Sequence, residues 1–296
     1  NAISFRSMMS ANTRGVVADV SNLNTLCVTA YQGQTCTLTI SYTKRTVQGS
    51  LTLPNLIIGP ETGELTFTVF SGNWSGTRDF TSSTEQWMRN VTINDDIAKQ
   101  EDMTYVSNVT GTKADNGKVG VPLEMKHALV QIQLNAKNEN SNYVYKVKGI
   151  RINRVATNAD FDMKKEQWGT AKGEATFEIT YDTPIELTSK AQSIMGTAGN
   201  AMLIPFYLDA WDGGGKLNKP DPLDNVQVPS YTTNPGGFFS VLVNIRMKAG
   251  ASVYPDKAGG YAWVAIPVYY VWDAQQGKKF TYTLDFEQTV PDGLIL

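Results

Sequence analysis

Apolar and polar residues alternate with a period of two along most of this chain. Leu38, Ile40 and Tyr42 are set among Thr37, Thr39 and Ser41, and Leu65, Phe67 and Val69 among Thr66 and Thr68. Phe239, Val241, Val243, Ile245 and Met247 form a further face, with Ser240, Asn244 and Arg246 between them. Phe280, Tyr282, Leu284 and Phe286 alternate with Thr281, Thr283 and Asp285. Successive side chains of a strand point to opposite faces, so each run predicts a strand with one buried face. Sheets buried on one face belong to antiparallel sandwiches, and the expected class is all-β. Helical periodicity is weak, and Asp95 to Glu101 predicts only one or two turns between strands.

The alternation slips in two places. In "VPLEMKHALVQIQLNA" the apolar face runs through Val121, Leu123 and Met125, then shifts to Val130, Ile132, Leu134 and Ala136. A one-residue slip reverses every side chain, so a bulge or bend near His127 to Leu129 is needed to bury both halves. In "YVYKVKGIRINRV" the pattern shifts again at Gly149, a residue suited to a bend. Between them "NAKNENSNY" is polar and Asn-rich and reads as a linker. It sets the expected domains as residues 1–140 and 141–296. Turn clusters stand at 60–63, 115–118, 212–225 and 232–237. The third is long for a sandwich connection, and long loops on such scaffolds carry function.

Composition agrees with many strands joined by many turns. The chain has 296 residues, 25 of them Gly and 12 Pro, and 41% are hydrophobic, enough for a sizeable core. A formal net charge of −2 gives no electrostatic footprint for nucleic acid. No apolar run approaches the roughly 20 residues of a membrane-spanning helix. Asn1 rather than Met opens the chain, so a targeting segment is not readable here. Cys27 and Cys36 are too few for a zinc site or a disulfide framework. Cys27 alternates out of phase with Leu26 and Val28, whereas Cys36 is in phase with Leu38 and Ile40. The two are therefore expected on different faces, as free thiols, the alternative being a bridge across the hairpin that their spacing would suit.

Catalytic candidates are weak. His127 is the only histidine, which excludes a multi-histidine metal site and leaves a catalytic triad unsupported. It continues the face of Val121, Leu123 and Met125 and is expected as a hydrogen-bonded residue packed at the bend. Asp209, Asp212, Asp221 and Asp224 crowd one loop, but Gly213 follows Asp212 too early for a calcium-binding loop. Paired carboxylates for glycoside hydrolysis have no specific support, since their separation is a structural quantity. Most of the six tryptophans are expected in the cores. Trp211, with Asp209 and Asp212, marks a candidate ligand loop. No cofactor, metal or enzymatic activity is expected.

Several blocks, taken in order, resemble the fimbrillin family of Bacteroidetes surface pilins, the type V pilins. They are "ISF", "TRG" and "LCVTAY" near the start, then "EDMTYVSNVTG", "VPLEMKHALVQIQLNAKN", "AMLIPFYL" and "WDAQQGKKFTYTLDF". The His-Ala block and the final Gly-Lys strand are the distinctive ones. The resemblance implies two transthyretin-like antiparallel β-sandwich domains in tandem, export through an outer-membrane lipoprotein precursor, and assembly at the cell surface in a fimbrium. It also implies maturation by an arginine-specific protease that removes the first strand, and partnership with other pilin subunits by β-strand complementation.

On that reading the stretch "SANTRGVVADV" is where the first strand is cut away. Ile3 and Phe5 belong to the removable strand, Arg14 supplies the side chain the protease reads, and Gly15 becomes the new N-terminus. Arg45 in "TKRTV" is the nearest competing site. Only "EQTVPDGLIL" follows the final strand pattern, and Pro291 and Gly293 weaken it as a donor strand. A tip or accessory subunit is therefore expected. The alternative is a carbohydrate-binding, lectin-like surface lipoprotein that does not polymerise and takes a host or bacterial surface ligand.

Overall fold

The computed structural model describes residues 5–9, 25–43, 46–47, 50–51, 63–116, 120–208, 237–255, 259–266 and 272–286. Among these, structure is overwhelmingly strand, numbered β1 to β23 in chain order. The first sheet has the spatial order β1 (Phe5–Met9), β10 (Val121–His127), β9 (Thr104–Thr112), β6 (Glu64–Ser71), β2 (Thr25–Gln32), β3 (Thr35–Thr43). A small two-stranded sheet of β4 (Thr46–Val47) and β5 (Ser50–Leu51) lies with β5 near β1. A second sheet orders β14 (Gln167–Trp168), β13 (Asn158–Asp162), β8 (Trp87–Thr92), β7 (Thr77–Asp79).

Two more sheets build the other half. In one, β12 (Tyr143–Val155) lies between β15 (Ala175–Glu186) and β19 (Phe238–Met247), and β20 (Ser252–Tyr254) and β21 (Ala262–Ile266) pair with β19. In the other, β11 (Val130–Lys137) pairs with β16 (Gln192–Ser193), β17 (Ala201–Leu203) and β23 (Lys279–Asp285). β18 (Phe206–Leu208) and β22 (Trp272–Ala274) form a two-stranded ladder. The stretch expected to turn helically holds a 3-10 turn, Ile97–Lys99, capped by the Asp96 carboxylate. A single α-turn, Lys113–Asn116, follows β9.

Three apolar clusters hold these layers. One face of the first sheet carries Leu26, Val28, Ala30, Leu65, Phe67, Val69, Val106, Val121, Leu123 and Met125. The opposite face packs Tyr31, Phe70 and Tyr105 against Trp74, Phe80, Met88, Val91 and Phe161 around the second sheet. The third and largest cluster lies between the two sheets of the other half, from Ile132 and Leu134 to Phe177, Val241 and Phe286. The expectation of one buried face per strand therefore fails for β19, whose Ser240 and Asn244 are buried behind its apolar face, and for β2 and β6, because the second sheet covers their other side. Thr29 and Thr68 are fully buried there, and the Thr68 hydroxyl donates to the Gln86 side-chain oxygen.

Both phase slips are built as the pattern requires. β10 ends at His127 and β11 begins at Val130, with a bend between them. In β12 the register with both neighbours shifts between Val147 and Gly149. A Cβ at Gly149 would stand 2.8 Å from the Ile179 carbonyl oxygen, so the bulge needs glycine. The polar stretch after β11 is an ordered turn. The Asn138 amide donates to the Thr188 carbonyl at 2.8 Å, and the Asn138 side-chain amide to the Tyr143 carbonyl at 3.0 Å.

Cys27 and Cys36 correct a second expectation. Both are thiols, and both pack against the cluster around Tyr31. A register shift between Ala30 and Tyr31 sets Cys36 opposite Tyr31, so the alternation does not carry across the turn. Cys27 pairs instead with Ser41. Four residues of strand separate it from the Cys36 level, about 13 Å, well beyond a disulfide's reach.

Candidate functional site

Among the described residues the first strand, β1, is an edge strand. β1 pairs with β10 in parallel, from Phe5 opposite Val121 to Met9 opposite Met125, and has no second ladder among the described residues. β10 in turn runs beside β9 but is in ladder register with it only at Lys126 and His127. Val121–Met125 therefore has β1 as its sole ladder partner among the described residues. Pro122 lies within this stretch, opposite Arg6. Proline has no N–H to give a ladder and is confined to edges, bulges and strand starts, so its place here suits a strand that can itself become an edge.

The groove along β10 is apolar for most of its length. Val121, Leu123 and Met125 are essentially fully buried and join the first cluster. At the His127 end the chemistry changes. His127 Nδ1 lies 2.6 Å from Asp102 Oδ2, and both side chains are about nine-tenths buried. Directly across the ladder from His127 is Thr104, fully buried. His127 Nε2 and Thr104 Oγ1 are buried without a hydrogen-bond partner. The backbone of Asp102 is set by Gly72, at φ +94, where a Cβ would stand 1.9 Å from the Asp102 carbonyl oxygen.

The bend after His127 is clasped from two sides. The Ala128 amide donates to the Met103 carbonyl at 2.8 Å, and its own carbonyl accepts the Trp168 indole N–H at 2.7 Å. Trp168 stacks on Trp74 at 6.1 Å and meets Phe161 edge-on at 4.9 Å. Lys126 is paired with Glu166 at 2.6 Å, whose other oxygen accepts from Ser107. From the other side comes the turn before β23. The Gly277 amide donates to the Leu129 carbonyl at 3.0 Å, and Gln276 Nε2 to the Tyr105 hydroxyl at 2.8 Å.

β23 then runs parallel to β11, from Lys279 opposite Gln131 to Asp285 opposite Lys137. Its end is pinned. Lys137 Nζ lies 2.7 Å from both Asp285 Oδ2 and Glu139 Oε1. Hydrogen bonds to Asp285 and then Glu139 raise the Lys137 ammonium above the usual lysine range. Phe286, fully buried, donates its amide to the Lys137 carbonyl and packs on Tyr145 at 5.1 Å. Among the described residues, the continuous segment from β10 to β11 thus carries one parallel edge strand at each end, β1 and β23.

Of the residues singled out from sequence, Phe5 opens β1. Ile3, Arg14, Gly15, Arg45, Trp211, Asp209 and Asp212 lie outside the described residues. His127 has the hydrogen-bonded, packed role expected of it. Thr104 and Gly72 were not legible as site residues, because one reads as an ordinary strand threonine and the other as an ordinary turn glycine. Asp102 carried a signal, since it leads the segment "EDMTYVSNVTG" into β9. Among the described residues no group of His, Cys, Asp and Glu side chains is arranged to hold a metal ion.

A family model described as fimbrillin-like matches residues 13–294. The chain belongs to the fimbrillin-like family. Fimbrillin-like membership gives it a pilin-like role at the cell surface, in company with other pilin subunits. No curated protein matches. Similar solved structures include one described as a cell adhesion protein of Bacteroides ovatus, 13% identical, covering 97% of this chain and 92% of that one, TM-score 0.48. A second, from Bacteroides uniformis and described in the same words, is 12% identical, with 97% and 93% covered and TM-score 0.48. A third, described as a polysaccharide binding protein of Bacteroides thetaiotaomicron, is 9% identical, with 98% and 92% covered and TM-score 0.45. Among the described residues of the fimbrillin-like chain no helix is long and apolar enough to cross a membrane.

Proposed function

We propose that this protein is a fimbrial subunit assembled by strand exchange after an arginine-specific protease cuts between Arg14 and Gly15, reaching the surface by way of a lipidated precursor. The cut frees β1, and a strand of another subunit takes its place along β10. The observation that carries this reading is the single parallel pairing of β1 with Val121–Met125 at the sheet edge. An edge strand held by one ladder can leave without rupturing a sheet, and what it exposes is a row of unpaired backbone groups beside an apolar groove. Five strands of the first sheet stay behind, more than the three needed for an independently stable sheet.

The test is limited digestion of the intact chain with an arginine-specific protease, followed by N-terminal sequencing and sizing. The expected product begins at Gly15, keeps its β-sheet circular dichroism, and gains either higher-order species or binding of an added strand peptide. A chain that resists cutting at Arg14, or that unfolds once cut, contradicts the proposal.

A further inference from the structure

The apolar groove along β10 ends in two buried polar atoms with no hydrogen-bond partner, and that ending has a chemical consequence. We infer that His127, oriented by Asp102, forms a polar seat that selects an incoming strand carrying a serine or threonine hydroxyl two residues beyond the Met125 level. This inference rests on the strand-exchange reading and adds to it which partner strand fits.

The register fixes the position. Met9 lies opposite Met125, and β1 is parallel to β10. His127 is two residues further along β10, about 6–7 Å beyond Met9. A strand that replaces β1 in this register and continues for two residues brings a side chain level with His127. Residues in register on neighbouring strands share a face, so that side chain and the imidazole are within cross-strand reach. Thr104, opposite His127 on β9, completes a row of three across the sheet.

The chemistry fixes the residue type. The Asp102 carboxylate at 2.6 Å orients the His127 ring through Nδ1, and Nε2 is left buried without a partner. His127 is 6% exposed and Thr104 is 0% exposed, so water does not serve these atoms from bulk. A buried polar atom without a partner is a standing cost that a ligand of the right polarity removes. A small hydroxyl on the incoming strand can donate to Nε2 or accept from it, while Thr104 lies one strand further on, across β10. A valine of the same shape can do neither. Counting two residues on from Met9 in the chain's own sequence gives Ala11, whose methyl has nothing to donate. A hydroxyl-bearing strand from another subunit therefore gains a contact that the chain's own sequence does not offer, which gives exchange a direction.

The experiment uses the full chain nicked after Arg14, with residues 1–14 still bound and fluorescently labelled. Synthetic peptides of residues 1–14 compete for the groove, one with Ala11→Thr and one with Ala11→Val. The Thr peptide should displace the label at about a tenfold lower concentration than the isosteric Val peptide. In a nicked His127→Leu variant, checked for native β-sheet signal, the preference should fall to within about twofold. Equal displacement by the two peptides overturns the seat while leaving strand exchange standing. Displacement by neither peptide overturns the exchange reading, and the seat with it.

Discussion

At the level of single residues, the pair His127 and Asp102 shows how a polar element is carried into a sheet interior. The imidazole is accommodated because Asp102 Oδ2 is hydrogen-bonded to its Nδ1 at 2.6 Å. Removing that partner strands a buried ring nitrogen, so Asp102→Ala should destabilise the chain by roughly 1–3 kcal/mol. Asp102→Asn, which keeps an oxygen, should recover most of the loss, both read as shifts in urea midpoint. Gly72→Ala meets two obstacles at once, a φ of +94 and an Asp102 carbonyl oxygen 1.9 Å from the new Cβ. Its cost should exceed about 1 kcal/mol in the same assay, beyond an ordinary glycine-to-alanine change. Tyrosines give a pH signature. Burial pushes the Tyr254 phenol up to about 12, and burial likewise raises Tyr31, Tyr105 and Tyr181. A raised pKa means the folded state keeps a proton that the unfolded state releases above about pH 10. Stability is therefore whole below pH 10 and declines as pH rises towards 12 and beyond. Denaturation midpoints measured across pH 8 to 12 should show a plateau and then that decline, with phenolate absorbance appearing together with unfolding.

At the level of elements, the hairpin of β13 and β14 does more than pair with β8. Trp168 reaches past its own sheet to donate to the Ala128 carbonyl and lies against Trp74 and Phe161. Trp168→Ala removes both the ring and the bond, and should cost about 3 kcal/mol of stability. Because Ala128 is the hinge between β10 and β11, the same variant should speed amide exchange at Leu129 and Val130 more than at Ile150 or Val241. Much at this scale was legible beforehand. The slip between Met125 and Val130 called for a bend, and Gly149 for a bulge, because the period of two leaves no other way to bury both halves. What alternation does not encode is which strands lie side by side. It could not show that β1 runs parallel to β10, or β23 to β11, since parallel neighbours are joined by contacts far apart in sequence. Nor could it show that the threonine face of β2 and β6 is covered, because Thr29 and Thr68 look like solvent-facing residues until the second sheet is placed over them. The misjudged faces of Cys27 and Cys36 share that origin, a bulge at Ala30 and Tyr31 that no turn residue announces.

At the level of the whole molecule, β10 and β11 form one spine that passes all three clusters. Val121, Leu123 and Met125 lie in the first, Ala128 and Leu129 in the second, and Ile132 and Leu134 in the third. The two family-like blocks, the His-Ala strand and the Gly-Lys strand, meet on this spine where Gly277 bonds Leu129. That explains why their presence in the sequence was informative while their purpose was hidden. The candidate processing site was legible as a Thr-Arg-Gly step, whereas the groove it would open depends on an edge pairing that only the fold reveals. The central claim is that β1 is a replaceable edge and the remainder is a body that stays folded without it. The most direct measurement is hydrogen exchange on the chain cut after Arg14 and freed of residues 1–14. The account predicts that protection falls along Val121–Met125, persists in β12 and β19, and returns along β10 when a strand peptide is added. Protection lost throughout the molecule, or unchanged along Val121–Met125, would contradict it.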